Sequence, residues 1–542
     1  MPKKIVKKKK SIESIIPIKI KKTRPESFWE EEKETERKEE KPVRKIPRPR
    51  PIKKKMVPSR QAVKKIMISE PKKSKRKYIY AGLIFLLLII IAYLFFVVRP
   101  TLAQDYQKKG DLDLQVRAVT AALQNYQKAL VLTPRNSEIY LKIGKIYWSK
   151  NLPKEAKSMI EKALSYNKEN KEAYLIGGQI YLEEKDYTTA ADYLKRFINQ
   201  GGEQPEAYAG LIKDQIAQNK KEESADWAQK AFLLYPDNPQ IIYVCSLAWF
   251  FNNDYQKAQK GWERLKNEKD YHDLAQLGIE TINKLEGSSA SYQKMLLGNF
   301  YNQNNLPSLA LIYFDQVLKE VPAYRDAYLG KAEAYLLQKN YEKAKENLTL
   351  AQKQDPVYGL TFYLWGKILR EQKDQREAIN YFKKAQERGY DNALMEKELA
   401  ESYLEINDYS SALSAYQKVL DFAPTDLEAQ EKIIWLQAEK LNQPNSALKR
   451  AKEIELLNPQ SAWAKDILAY ALIMNNQLSL AKETIDKAIS LEPFFALNYY
   501  YLGLLYKKQG NLPEAKTNFI KAADYDTKGN IFNQVYKELN QL

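Results

Sequence analysis

Chemistry needs a nucleophile, a base, a metal cluster or a phosphate cradle at workable spacing. This chain has one histidine, His272, and one cysteine, Cys245. A nucleophilic pair would need them together with an orienting acid, and nothing in their spacing supplies one. Two such residues cannot make a zinc site, and a lone cysteine closes no internal disulfide. His272 reads as a surface or hinge residue and Cys245 as a small core residue. Paired acids such as Glu183 and Glu184 fall in a loop and read as solvated. No glycine-rich nucleotide loop, metal cluster or triad is found. The residues imply no catalysis, no cofactor and no metal.

The elements that would position a binding surface begin with an apolar run. Tyr78 to Val98 is 21 residues without a charge, and fifteen of them are Leu, Ile, Val or Phe. A helix of that length is about 31 Å long, close to a bilayer's hydrocarbon thickness. Each large apolar residue favours insertion by about 0.3–0.6 kcal/mol at the bilayer centre. Thr101–Ala103 offers a small-x-small cleavage site, but the run is too long for a signal peptide and starts only at residue 78. Lys72, Lys73, Lys75, Arg76 and Lys77 crowd its N-terminal edge, whereas Arg99 stands alone on the other side until Lys108. The positive-inside rule then predicts a single-pass protein of the cytoplasmic membrane, N-terminus in the cytoplasm and the rest outside. No GxxxG-like pair in the span calls for dimerisation.

Charge is segregated. Residues 1–77 hold 29 Lys+Arg and 10 Asp+Glu, which is the whole net charge of +19, and the remaining 465 residues balance at 58 of each sign. The high pI describes the tail alone. That tail is proline-rich and poor in apolar clusters, and is predicted to be disordered. It carries a capping-box spacing at Ser27–Glu30, a polyproline-like stretch at Ile46–Lys55 and a short helix-prone segment at Ser59–Ser69. Its basic runs suit anionic lipid or an acidic protein. Nucleic acid ranks last, because no aromatics interleave the charges.

Beyond Arg99 the sequence is periodic. A small residue is followed by Tyr three later, Ala twelve later, an aromatic or Leu sixteen later and Pro twenty-four later. Gly298, Tyr301, Ala310, Phe314 and Pro322 fit, as do Ala332, Tyr335, Ala344, Leu348 and Pro356, and Ala400, Tyr403, Ala412, Tyr416 and Pro424. Gly503, Tyr506, Ala515 and Phe519 repeat it. The register recurs every 34 residues at Ala310, Ala344, Ala378 and Ala412, and again at Ala447, Ala481 and Ala515. The small residue lets two helices approach, the aromatic fills the space beside it, and the proline ends the second helix.

This pattern resembles the tetratricopeptide repeat (TPR) family, whose unit is a 34-residue helical hairpin. The resemblance covers nearly all of 101–530. It implies an all-α, right-handed superhelical solenoid of about eleven hairpins, starting near Ser137, Lys171, Pro205, Pro239, Ser291, Arg325, Gly359, Ala393, Leu427, Ala462 and Ala496. It further implies that proteins or peptides bind in a concave groove lined by unit positions 2, 5, 9 and 12. In this sequence these include Trp148, Tyr243, Phe250, Tyr292, Asn299, Asn302, Tyr363, Lys367, Arg370, Trp435, Trp463, Tyr470 and Tyr500. Family members that bind chaperone tails use a Lys/Asn/Arg clamp. Asn299, Asn302, Lys367 and Arg370 match it only loosely, with Glu333 intruding.

Three stretches depart from register. Residues 105–134 contain a good second helix but no standard first one, which predicts a capping hairpin or a continuation of the membrane helix. Residues 271–290 predict an extra helix and a turn at Gly287, a candidate hinge. The unit at Leu427 carries one extra residue, placed by the sequence in LNQPN. The expected organisation is a tail (1–77), a span (78–98), a first repeat block (99–286), a second (287–530) and a C-terminal capping helix (531–542). The functional expectation is a membrane-anchored scaffold similar to single-span repeat proteins of bacterial envelopes, assisting envelope, pilus or secretion assembly. The alternative is a targeting subunit for an enzyme, such as a glycosyltransferase or protease, carried on another chain.

Overall fold

The computed structural model describes residues 75–542. The expectations for the tail's local features, Ser27–Glu30, Ile46–Lys55 and Ser59–Ser69, lie outside the described residues. The chain divides at Leu102–Ala103 into two compact units.

The first unit holds the helix Lys75–Tyr93, a π-helical turn Leu94–Val98 and the start of the helix Arg99–Gln115. The helical run from Gly82 is long and apolar enough to cross a membrane. Its large side chains from Leu83 to Val97 are exposed in the isolated chain.

The second unit, Ala103–Leu542, is all-helical. A first hairpin pairs the end of Arg99–Gln115 with Val119–Leu132. Gly110 lies against the Tyr126 ring, and the Tyr126 hydroxyl donates to Asp111 at 2.6 Å. Eleven repeats follow, with first helices beginning at Ser137, Lys171, Pro205, Pro239, Ala290, Arg325, Gly359, Ala393, Leu427, Ala462 and Ala496; we number them 1 to 11. Together they form a TPR superhelical solenoid. The extra helix is His272–Leu285, between repeats 4 and 5, and the last helix is Phe532–Leu539.

The packing follows the periodic residues. A methyl group on Gly298 would lie 2.5 Å from the Phe314 ring, sixteen residues on, and Gly366 and Gly503 stand in the same relation to Phe382 and Phe519. The alanines of the 34-residue register, from Ala156 to Ala515, are fully buried. First helices are capped by side chains that accept a backbone N–H three residues on, among them Asn136, Asn170, Asn238, Asp426 and Ser461.

Each hairpin turn also contains one residue in the left-handed region. These are Asn151, Lys185, Asn219, Asn253, Asn305, Lys339, Lys373, Asn407, Asn442, Asn476 and Gly510, with Arg117 in the first hairpin. Asn and Gly tolerate that conformation; lysine pays a Cβ penalty. Lys373→Gly is therefore expected to raise stability by about 0.5–1 kcal/mol, read as a higher urea midpoint.

Two features lie outside the periodic signal. Sequence reasoning divides the repeats at Gly287, and one apolar cluster runs from Tyr208 to Ala334 through that point. The other is a closure of the solenoid on itself. Lys150, in the turn of repeat 1, is buried and donates to the carbonyls of Ala523 and Asp526 at 2.6 Å each. Thr120 donates through its N–H and its hydroxyl to Asp524, both at 2.8 Å. The Arg117 guanidinium lies 4.4 Å over the Phe494 ring. The first hairpin and repeat 1 thus pack on repeat 11.

Candidate partner-binding groove

The first helices carry the groove positions, and repeat packing decides which side chains remain available. Tyr292 and Asn299 are exposed, and Trp148, Lys367, Trp435, Trp463 and Tyr500 are half-buried. Phe250 is sealed, 1 % exposed, among Tyr255, Trp262 and Phe300, and presents no surface to a partner. Tyr243 is buried, with its hydroxyl on Asn304. Tyr363 is buried against Tyr390, ring centroids 4.9 Å apart.

Three of the four residues that resembled a clamp are engaged internally, and Asn299 is exposed. Asn302 donates to the Gly330 carbonyl at 2.8 Å and toward Glu333 at 3.4 Å. Arg370 pairs with Glu398 at 2.6 Å. Lys367 leans on Tyr363, 5.5 Å from the ring centre. Lys185 of repeat 2 reaches the Leu337 carbonyl at 2.7 Å and Asn305 at 3.2 Å, drawing the turns of repeats 2, 5 and 6 together.

Repeats 9 to 11 bring Trp435, Trp463, Tyr470 and Tyr500 to one place, together with acids the sequence reading missed. The reason is a correction to the register. The extra residue of repeat 9 is not in LNQPN; it is absorbed as a π-helical turn, Leu436–Lys440, inside the first helix. One inserted residue rotates everything after it, and Glu439 enters the groove. Its carboxylate accepts from Trp435 Nε1 at 3.1 Å and from the Tyr470 hydroxyl at 2.8 Å. Glu431, at the fifth position of repeat 9, is raised by burial, while Lys432 and a hydrogen bond from Trp463 oppose the shift. Asp466 holds the fifth position of repeat 10. It is fully buried, neither oxygen has a hydrogen-bond partner, and burial holds its carboxyl well above the usual range. The signal for Glu431 and Asp466 was present, since both stand at position 5, but the reading favoured aromatics.

Cys245 is buried, its thiol pushed up to about 12 by burial, with Sγ on the Ala228 carbonyl at 3.3 Å. His272 is exposed at the start of the extra helix. Among the described residues no group of three His, Cys, Asp or Glu is placed to hold a metal ion.

Elsewhere in the solenoid, burial raises Asp214 to about 6 and Glu396 to about 7. Both are fully buried; Asp214 accepts from Gln215 and Gln218, Glu396 from Gln386 and Lys418. Raised carboxyls bind protons more tightly when folded, so their contribution is complete below the ordinary carboxylate pKa and is lost as pH rises through 6 to 7. Stability should fall between pH 5 and pH 8 by on the order of 1–3 kcal/mol per group. Urea melts at the two pH values check this, and Asp214→Asn and Glu396→Gln should each flatten the dependence.

Comparison with known proteins agrees with the hairpin architecture. Models of the TPR repeat match residues 118–151, and tetratricopeptide repeat models match 141–208, 298–357 and 363–426. Among curated proteins, the chain is 29 % identical over 160 residues to anaphase-promoting complex subunit 3 of Schizosaccharomyces pombe, covering 29 % of this chain and 24 % of that protein. It is 24 % identical over 271 residues to tetratricopeptide repeat protein 16 of Mus musculus, covering 44 % and 35 %. These matches thus span about a quarter to a third of the length of the relatives. A solved structure, the APC/C hetero-tetramer Cut9-Hcn1, is similar at 13 % identity with a TM-score of 0.29, covering 74 % of this chain and 96 % of that one. The hairpin period, the packed small-residue and aromatic pairs and the matching repeat models agree that the chain carries tetratricopeptide repeats.

Proposed function

We propose that the chain is a membrane-anchored, non-enzymatic scaffold of a bacterial envelope that holds protein or peptide partners in the groove of its repeats, outside the cytoplasm. The observation that carries this reading is the groove of repeats 9 to 11, where half-buried tryptophans and a tyrosine lie beside carboxylates on rigid helices. Such aromatics are common anchors for peptide ligands. The apolar helix with five basic residues before it supports anchorage and direction. The tail, on the cytoplasmic face, would meet anionic lipid or an acidic protein.

Protease treatment of intact spheroplasts, with tags at both ends, tests the direction. Cleavage of the C-terminal tag and protection of the N-terminal one is the expected result; the reverse would move the groove to cytoplasmic clients. Photocrosslinking from Tyr292 and Lys367 followed by purification tests the scaffold itself. Structural envelope proteins are the expected partners. A stoichiometric enzyme would favour a targeting subunit instead, the reading to which a complex subunit among the relatives lends some support.

A further inference from the structure

The groove of repeats 9 to 11 has more acceptors than donors. Glu431 and Glu439 stand beside Trp435, Trp463 and Tyr500, and Tyr470 lies beneath them. These groups share one space. Tyr500 feels the charges of both Glu439 and Glu431, and Tyr501, its ring centre 5.4 Å from those of Tyr470 and Tyr500, feels Glu431 and Asp466. Burial favours the neutral form of Asp466, which therefore adds no charge here, and the buried Asn498 oxygen is an acceptor without a hydrogen-bond partner.

Most neighbouring cations are paired with other acids, although Lys432 also acts on Glu431. Lys397 bonds Asp426 and Glu428, Lys432 lies 3.6 Å from Glu401, Lys465 is on Glu455 and Lys507 on Glu538. Lys440 sits over Trp435 and Tyr409 at 5.1 and 5.6 Å, on the π-helical turn itself.

Ionised carboxylates only accept hydrogen bonds, and a guanidinium only donates them. Aromatic faces attract cations, and arginine's planar fork both stacks and pairs in two-point fashion with a carboxylate. We propose that this cage recognises an arginine side chain on an extended segment of a partner protein, the guanidinium entering between Trp435, Trp463 and Tyr500 and pairing with Glu431 and Glu439. The proposal rests on the scaffold reading and names the chemistry of its ligand. The π-helical turn is the device that makes the cage, because an uninterrupted helix would present Ala438 where Glu439 now stands.

The test uses the full chain in lipid nanodiscs and a labelled heptapeptide alternating glycine and arginine, against the same peptide with citrulline, which keeps the shape and removes the charge. Fluorescence anisotropy should show saturable binding of the arginine peptide, about ten-fold or more weaker binding of the citrulline peptide, and a comparable loss for Glu431→Gln with Glu439→Gln at an unchanged melting temperature. Trp463→Leu should weaken binding as well. Equal affinity for the two peptides, undiminished binding by the doubly substituted chain, or no saturable binding of the arginine peptide overturns the proposal. The scaffold reading is judged separately. If the doubly substituted chain still crosslinks the same partners from Tyr292 and Lys367, the cage fails and the groove reading stands. If the arginine peptide depends on the two glutamates but no partner crosslinks to the groove, the cage stands and the scaffold reading fails.

Discussion

Lys150→Ala is expected to destabilise the repeat unit by about 3 kcal/mol and to free its first and last hairpins from each other. Lys150 is 5 % exposed, and its ammonium donates to the carbonyls of Ala523 and Asp526, with that of Asp524 at 3.4 Å. Those carbonyls end the helix Leu512–Tyr525, where a helix leaves acceptors without donors. Removing the donor leaves them buried and unmet, at about 1–3 kcal/mol each, offset in part because a buried charge is also removed. Alanine deletes the lysine stem as well, which packs in the same place.

The consequence reaches beyond one residue. In an open solenoid each repeat touches only its neighbours, and unfolding starts at the ends. Here the ends cover each other. Thr120 bonds Asp524, and Asp526 bonds the N–H groups of Asn530 and Ile531, shaping the turn that meets Lys150. The intact protein should therefore protect its terminal hairpins from amide exchange about as well as its middle. In Lys150→Ala, exchange at residues 119–132 and 512–525 should quicken while repeats 5 to 7 stay protected. Unchanged protection at both ends would show that the contact carries no stability. Thr120→Val, which loses only the hydroxyl's bond, should act in the same direction at about 1 kcal/mol.

None of this closure was legible in the sequence, for a physical reason. Periodicity reports what each residue does for its nearest neighbours, so the small residues, the aromatics sixteen later and the helix starts could be read directly. Ten of the eleven repeats begin at the residue the pattern implied, and Ala290 is one residue early. A contact between Thr120 and Asp524 has no period, and Lys150 looks like any turn lysine until its partners are known. The groove failed in a related way. Positions 2, 5, 9 and 12 assume a uniform helix, so the π-helical turn in repeat 9 hid Glu439, and the same rule included Phe250, which the second helix of its own repeat and repeat 5 bury. The left-handed turn residues were within reach: the asparagines at 151, 219, 253, 305, 407, 442 and 476 repeat in register, and asparagine tolerates that conformation.

Trp262 is where the largest core loss is expected, about 4 kcal/mol for Trp262→Ala. It is the register aromatic of repeat 4, four residues after Ala258, and the last one before the extra helix. The side chain is fully buried, its ring centre 5.5 Å from that of Phe250 and 5.8 Å from that of Phe300, so it touches aromatics from repeats 4 and 5. The extra helix closes over it at Gly278, where an added methyl group would lie 2.4 Å from the indole. Trp262 thus makes with Gly278 the contact that Phe314 makes with Gly330 in a regular repeat, and joins the two sides of Gly287. Alanine would open a cavity that flanking helices can only partly fill, and the measurement is a urea melt followed by circular dichroism. If the indole is the joint, the single transition of the wild type should split in two as the flanking repeats lose their coupling. Gly278→Ala should cost about 1–3 kcal/mol through overpacking, and far less in a Trp262→Phe background, where the smaller ring leaves room for the methyl. Additive losses in that cycle would mean that Gly278 and Trp262 act independently and that the extra helix is held by its other contacts.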